Sequence, residues 1–136
     1  MVAFVKADNL TYDLCTGQHD FLNDTFKVVI SNTAITSADA VTADITQIAG
    51  GNGYTTGGNT VNVSSVTTTG GVTTIVIDDY ELVASGGSIG PLRYMAIVNT
   101  TPAGGKIVSS SDYGSALTLS DGEKVTFDFA ASTITV

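Results

Sequence analysis

The sequence predicts an all-β protein, a single-domain β-sandwich or jelly-roll-like fold with about eight short strands and at most one short helix. The 136 residues, 43% of them hydrophobic, suffice for one domain with a buried core. Thr, Val and Ile make up about a third of the chain, and such β-branched side chains favour pleated strands over helices. Period-two alternation also recurs between glycine-rich breaks from Asp24 onward, which is typical of half-buried strands.

The stretch Met1–Asn23 is the least periodic part of the chain. We expect it to form an N-terminal arm or extension, with the β-sandwich domain spanning residues 24–136. Its apolar residues follow no amphipathic period, and such residues can pack between subunits. The partner-binding residues expected from this stretch are Phe4, Tyr12 and Phe21.

The first strand is predicted after Asp24, where Phe26, Val28 and Ile30 point to one face and Lys27 points to the other. A short helix is predicted between Ser37 and Ala49, because the apolar residues in this stretch fall at helical spacing, Ser37 can cap it and two glycines follow it. Most of those apolar residues are β-branched, so an irregular strand is the competing interpretation.

A hairpin is predicted between residues 60 and 78. Thr60–Val66 and Val72–Asp78 both alternate, and the turn between them, Thr69-Gly70-Gly71, supplies the positive φ angles of a tight connection. Tyr54, in the glycine-rich loop before the hairpin, is expected to be a packing or partner-contact residue.

The C-terminal half predicts a central strand followed by shorter ones. Leu92–Val98 is apolar on both faces, which indicates a strand covered on both sides. In Glu123–Phe129, alternate residues from Val125 onward are expected to face the core. The remaining predicted strands are Lys106–Ser110, Ser115–Leu119 and Thr133–Val136.

Charge excludes some classes of partner. The formal net charge is −8, and the five basic residues are scattered singly, so we expect no nucleic-acid partner. No apolar run is long enough for a secretory signal or a membrane span, which predicts synthesis in the cytoplasm and no membrane partner.

Few residues in the sequence could take part in catalysis or bind a metal ion. His19 is the only histidine and Cys15 the only cysteine, too few for a zinc site, and no nucleophile motif accompanies them. Cys15 is expected to be a small packed residue. Asp78, Asp79 and Glu81 form the one tight acidic cluster; solvated strand-end charges are favoured over a cation site, which stays an open alternative. We therefore expect no enzyme activity, cofactor or metal.

Four stretches carry a resemblance to a known group: Tyr12–Ser31 (YDLCTGQHDFLNDTFKVVIS), Ile45–Val61 (ITQIAGGNGYTTGGNTV), Ser85–Met95 (SGGSIGPLRYM) and Ser120–Phe129 (SDGEKVTFDF). They resemble small β-rich head proteins of tailed bacteriophages, the capsid cement or decoration proteins. The shared patterns are glycines and core positions, so no catalytic residues are implied.

The resemblance implies a structural virion protein, made in the bacterial host cytoplasm, that binds the outer surface of the phage head and stabilises the shell. It also implies the major capsid protein as partner and a homo-oligomer, most often a trimer. The alternative function is a phage tail module that binds a receptor or glycan, for which the candidate exposed aromatics are Tyr54, Tyr80 and Tyr113.

Overall fold

Strands dominate the chain, as the sequence predicts. The computed structural model describes residues 5–129 and the backbone of residues 134–135, and these form an all-β single domain of antiparallel sheets with one six-residue helix. In chain order the elements are β1 (Val5–Lys6), α1 (Leu10–Cys15), β2 (Phe26–Ser31), a 3-10 turn (Thr42–Asp44), β3 (Asn59–Val61), β4 (Val63–Thr69), β5 (Val72–Ile77), β6 (Tyr80–Val83), β7 (Ile89–Asn99), β8 (Lys106–Leu119), β9 (Lys124–Phe127) and β10 (Ile134–Thr135).

The strands form three sheets around one main core. A five-stranded sheet has the order β1-β8-β7-β2-β3, a three-stranded sheet the order β10-β5-β4, and β6 pairs with β9. The core between them contains fully buried aromatic and aliphatic side chains from every sheet, among them Phe26, Ile75, Leu92 and Phe127.

The predicted hairpin is confirmed, but its first strand is displaced: residues 60–61 belong to β3, which pairs with β2, and the hairpin strand is β4. Thr69 pairs with Val72, so the turn is the two residues Gly70 and Gly71, whose φ angles are 59° and 80°. Positive φ at both central residues gives the turn a twist that matches the flanking strands. Ile75 and Ile77 of β5 face the core, whereas most of β4 is half-buried or exposed.

The predicted central strand is also confirmed, as part of β7. It lies between β2 and β8 and is buried on both faces over residues 95–99, whereas Arg93 and Tyr94 are half-buried. The second face is covered by residues 32–46, which cross over it and bring Ile45 against a smaller cluster, Ala7, Val29, Ala96, Val98 and Ile107. This explains why Val29, on the same face as Lys27, is fully buried.

No α-helix forms between Ser37 and Ala49. Only Thr42–Asp44 makes a single 3-10 turn, and Ile48 then donates its N–H to the carbonyl oxygen of Ile30 at 3.0 Å. The Asp44 carboxylate accepts hydrogen bonds from the N–H groups of Ala40 and Val41. Asp side chains that bind nearby backbone in this way compete with helix formation, so the irregular alternative is closer to the structure.

The prediction of an N-terminal arm is wrong for residues 5–23, because they pack against the rest of the domain. Val5 and Lys6 pair with β8, the N–H of Ala7 donates to the carbonyl oxygen of Val108 at 3.0 Å, and Leu10 of α1 is fully buried. Residues 5–23 are therefore continuous with the sheet. Their partners lie far along the chain on β8 and β7, where no local period can reveal them.

The C-terminal strands follow the predicted alternation. Phe127 and Phe129 are buried while Lys124, Thr126 and Asp128 are exposed. The two strands predicted at residues 106–110 and 115–119 are one long strand, β8. In the closing strand, Ile134–Thr135 pairs with β5, and its outer residues 133 and 136 lie outside the described part of the chain.

Candidate functional site

Of the four residues predicted to contact a partner, the three that the structure describes do not form one surface. Phe4 lies outside the described residues, and Tyr12 is 65% exposed on α1. Phe21 and Tyr54 are buried, with only 8% and 2% of their surface accessible. Phe21 stacks on Phe26 with ring centroids 4.9 Å apart, so its partner is the core of its own chain.

Tyr54 fastens the glycine-rich loop to the sheet. Its hydroxyl donates a hydrogen bond to Gln47 Oε1 at 2.8 Å and accepts one from the N–H of Ile30 at 3.2 Å. Burial raises the pKa of this phenol, because ionisation would place a charge in the core. Tyr54 is thus a structural residue.

A buried polar cluster joins the N-terminal segment to the end of β7. Asn99, with no exposed surface, donates from Nδ2 to His19 Nδ1 at 3.1 Å and to Asp24 Oδ2 at 2.7 Å. Its Oδ1 accepts from the N–H of Thr101 at 3.0 Å, which fixes the orientation of the amide. The same Nδ2 also lies 3.3 Å from the carbonyl oxygen of Gln18, so the amide connects three partners. The other ring nitrogen of His19 is Nε2.

That Nε2 faces the buried carboxylate of Asp13. The distance from His19 Nε2 to Asp13 Oδ2 is 3.9 Å, too long for a hydrogen bond, and both atoms are buried without a partner. Burial lowers the pKa of His19, an effect that the negative charges of Asp13 and Asp24 partly oppose and the positive charge of Lys106 reinforces. The side chains of His19 and Asp13 are 0% and 2% exposed, so no substrate reaches the imidazole and the cluster acts as a tether.

The acidic cluster is divided among separate contacts. Asp78 Oδ2 accepts from Asn62 Nδ2 at 2.7 Å, Asp79 Oδ1 accepts from the N–H of Phe129 at 2.9 Å, and Glu81 pairs with Lys124 at 3.3 Å. Within residues 5–129 and 134–135, no group of three or more His, Cys, Asp or Glu side chains has the arrangement of a metal site.

Cys15 differs from expectation, since the structure exposes it at the end of α1 as a free thiol. The helix packs through Leu10 and Asp13, and position 15 falls on its outer side.

Among the described residues, one accessible feature with a defined shape is a cleft beside the base of the hairpin. It has a volume of about 220 Å³ and lies between residues 21–26 and residues 60–63. Its apolar lining residues are Phe21, Phe26, Val61 and Val63, and Leu22, 74% exposed, also lines it. Most of the accessible lining surface is polar, and Thr25, Thr60 and Asn62 contribute to it. We call it the hairpin cleft. Asp24, the charged residue in the lining, is already bound to Asn99 and to the N–H of Asp20.

The hairpin cleft meets the outer edge of β4. In the described part of the chain, β4 is the last strand of its sheet, and no strand pairs with the edge that faces away from β5. We call this the β4 edge. The sequence predicts the hairpin but not the edge or the cleft. One sequence feature does set this region apart, since no charged residue occurs between Asp44 and Asp78.

Comparisons with protein families, with curated proteins and with solved structures find no match to this chain. Among the described residues, no helix combines the length and apolar character needed to cross a bilayer.

Proposed function

We propose that this protein is a structural virion protein, a capsid cement protein that binds the outer surface of a phage head and stabilises the shell. The sequence support is the resemblance carried by the four stretches quoted above, which fall in both sheet and loop regions. The major capsid protein is the proposed partner, and assembly as a trimer on the shell is part of the proposal.

The observation that carries the proposal is the division between a closed interior and an open strand edge. The histidine and Asp13 are sealed inside, Tyr54 is structural, and the acidic side chains near β5 and β6 are each engaged. Around β4 the surface offers an unpaired backbone edge and uncharged side chains, and backbone hydrogen bonding at a strand edge is one means by which proteins bind other proteins.

The alternative of a glycan-binding tail module receives less support. Such sites use exposed aromatic rings, and of the three candidate tyrosines Tyr54 is buried, while Tyr80 is half-buried with its hydroxyl accepting from Asn59 Nδ2 at 2.8 Å. Tyr113 alone is exposed, at 40%. Together with Tyr12 on α1, which is 65% exposed, this makes two exposed tyrosines on separate elements, a small basis for carbohydrate stacking.

Heads that lack the protein test the proposal. A ligand that binds the assembled shell and not the free subunits stabilises the assembly by mass action. Heads produced without the protein should therefore release DNA at a lower temperature than complete heads, and adding back the purified protein should restore the higher temperature. An equal amount of an unrelated acidic protein is the control. Equal release temperatures with and without the protein would overturn the cement function.

A further inference from the structure

The segment between β1 and β2 forms a flap that is anchored to the domain at both ends. Before it, the N–H of Ala7 donates to the carbonyl oxygen of Val108 at 3.0 Å, and after it the N–H of Thr100 donates to the carbonyl oxygen of Thr25 at 2.9 Å. We call the residues between these anchors, 10–24, the N-terminal flap. The flap contains α1 and the turn that leads to β2.

One side chain links the N-terminal flap to the strands. Among the described residues, every hydrogen bond between the flap and a strand is made by Asn99, the last residue of β7. Its Nδ2 lies 3.3 Å from the carbonyl oxygen of Gln18, 3.1 Å from His19 Nδ1 and 2.7 Å from Asp24 Oδ2. The flap is otherwise held by apolar side chains that join the main core. A change at the Asn99 amide therefore loosens the flap without breaking any strand pairing.

Protonation of His19 is such a change. The imidazolium carries a proton on both ring nitrogens, whereas the neutral ring carries only one. A proton on Nδ1 points at the amide nitrogen of Asn99, which donates hydrogen bonds and accepts none. The amide cannot turn its oxygen to the ring without a loss, because Oδ1 accepts from the N–H of Thr101 and Nδ2 binds the carboxylate of Asp24. The imidazolium and the Asn99 contact therefore exclude each other.

Burial adds to this conflict. The His19 side chain is 0% exposed, and its Nε2 has no hydrogen-bond partner, since Asp13 Oδ2 is 3.9 Å away. Burial lowers the pKa of His19; the carboxylates of Asp13 on α1 and Asp24 before β2 oppose this effect, and Lys106 on β8 reinforces it. From β2 and β7 the ring meets an aromatic side chain and an amide, both uncharged. The closed flap thus favours the neutral ring, and an open flap returns the ring to water.

We propose that the N-terminal flap is a pH-sensitive device: neutral His19 keeps it closed against Asn99, and protonation of His19 favours local opening of the flap while the sheets stay folded. Opening exposes the buried apolar side chains of Leu10 and Phe21 and removes one wall of the hairpin cleft. The proposal goes beyond the proposed function, because it concerns the isolated chain and holds whether or not that chain binds a shell.

The ring itself gives the first measurement. His19 is the only histidine, so its Cε1–H signal in the NMR spectrum of the full chain titrates without overlap from another imidazole. The midpoint should lie below the ordinary pKa of 6.5. Lys106→Gln removes the positive charge that acts on the ring and should raise this pKa. Lys124→Gln is the matched control and should leave the pKa unchanged, because that ammonium pairs with Glu81.

Amide hydrogen exchange measures the opening of the flap. The reporters are the amides of Gln18 and Asp24, which donate to carbonyl oxygens within the flap at 2.8 and 2.9 Å. After correction for intrinsic rates, their exchange should accelerate up to about tenfold from pH 7.5 to pH 5.5, the limit for a group with a pKa of about 6.5 that ionises only in the open state. In His19→Gln the same amides should exchange with no such acceleration.

Low concentrations of urea separate local opening from global unfolding. Opening of a flap exposes little surface, so exchange at Gln18 and Asp24 should change little with urea, whereas exchange of the protected amides of β2 and β7 should accelerate strongly. At every pH the flap amides should exchange faster than those strand amides.

Three outcomes overturn the proposal. A pKa of His19 at or above 6.5 would show that the closed flap accommodates the imidazolium. Equal urea dependence at the flap and strand amides would show that the flap does not open by itself. The same acceleration at low pH in His19→Gln would assign it to another group. Failure of the cement function leaves all three measurements unchanged, so the two proposals fail separately.

Discussion

Replacing Phe127 with alanine tests the register of the C-terminal strand and the core that depends on it. Phe127 is fully buried and packs between Tyr80 and Phe129, with ring centroids 6.3 Å away in each case. An aromatic side chain buries roughly 200 Å², worth about 5 kcal/mol at about 25 cal/mol per Å², and the remaining methyl group retains part of this. Phe127→Ala should therefore lower the free energy of unfolding by about 3–5 kcal/mol.

Lys124→Ala, three positions earlier on the same strand, is the matched control. Its ammonium pairs with Glu81 at 3.3 Å, but the two side chains are 63% and 48% exposed, so the pair contributes less than about 1 kcal/mol. Urea unfolding followed by far-ultraviolet circular dichroism measures both variants, with an unchanged m-value as evidence that they remain comparable. Similar losses at both positions would refute the assigned register.

Three further predictions concern the N-terminal tether and the sheet. The pKa of His19 lies below its unfolded value of 6.5, so the unfolded chain binds more protons as the pH falls from about 7 to about 5; the free energy of unfolding should decrease over that range, and less so in His19→Gln. Asn99→Ala should cost about 1–3 kcal/mol in urea unfolding, because it leaves buried polar groups unpaired. Gly58→Ala should lower the melting temperature more than Gly57→Ala: both have positive φ, but a Cβ at position 58 lies 2.7 Å from the carbonyl oxygen of Val28, whereas position 57 is open.

The predictions that the structure confirms are those based on local sequence patterns, within one strand or one turn. The β4–β5 hairpin follows from alternation plus two glycines, and the burial of Phe127 and Phe129 follows from alternation alone. Leu92–Val98 is recognisable as central because residues 95–98 are apolar on both faces, although Arg93 interrupts the pattern. In each case the side chains within a few residues determine the conformation.

The features that escaped prediction depend on distant partners. The apolar residues of the N-terminal segment have no period of their own, because β8 and the end of β7 determine which of them are buried. The helical spacing near Ile45 arises from packing against the second face of the sheet, and Asp44 binds the backbone that a helix would need. The β4 edge exists only once the sheet order is known.

The location of the protein on the particle tests the cement function most directly. Cryo-electron microscopy of virions produced with and without the protein gives a difference map in which added density should lie on the outer surface of the head, bridging neighbouring shell subunits. The β4–β5 hairpin should be recognisable in that density by its two-residue turn. Difference density confined to the tail, or none on the head, would contradict the account.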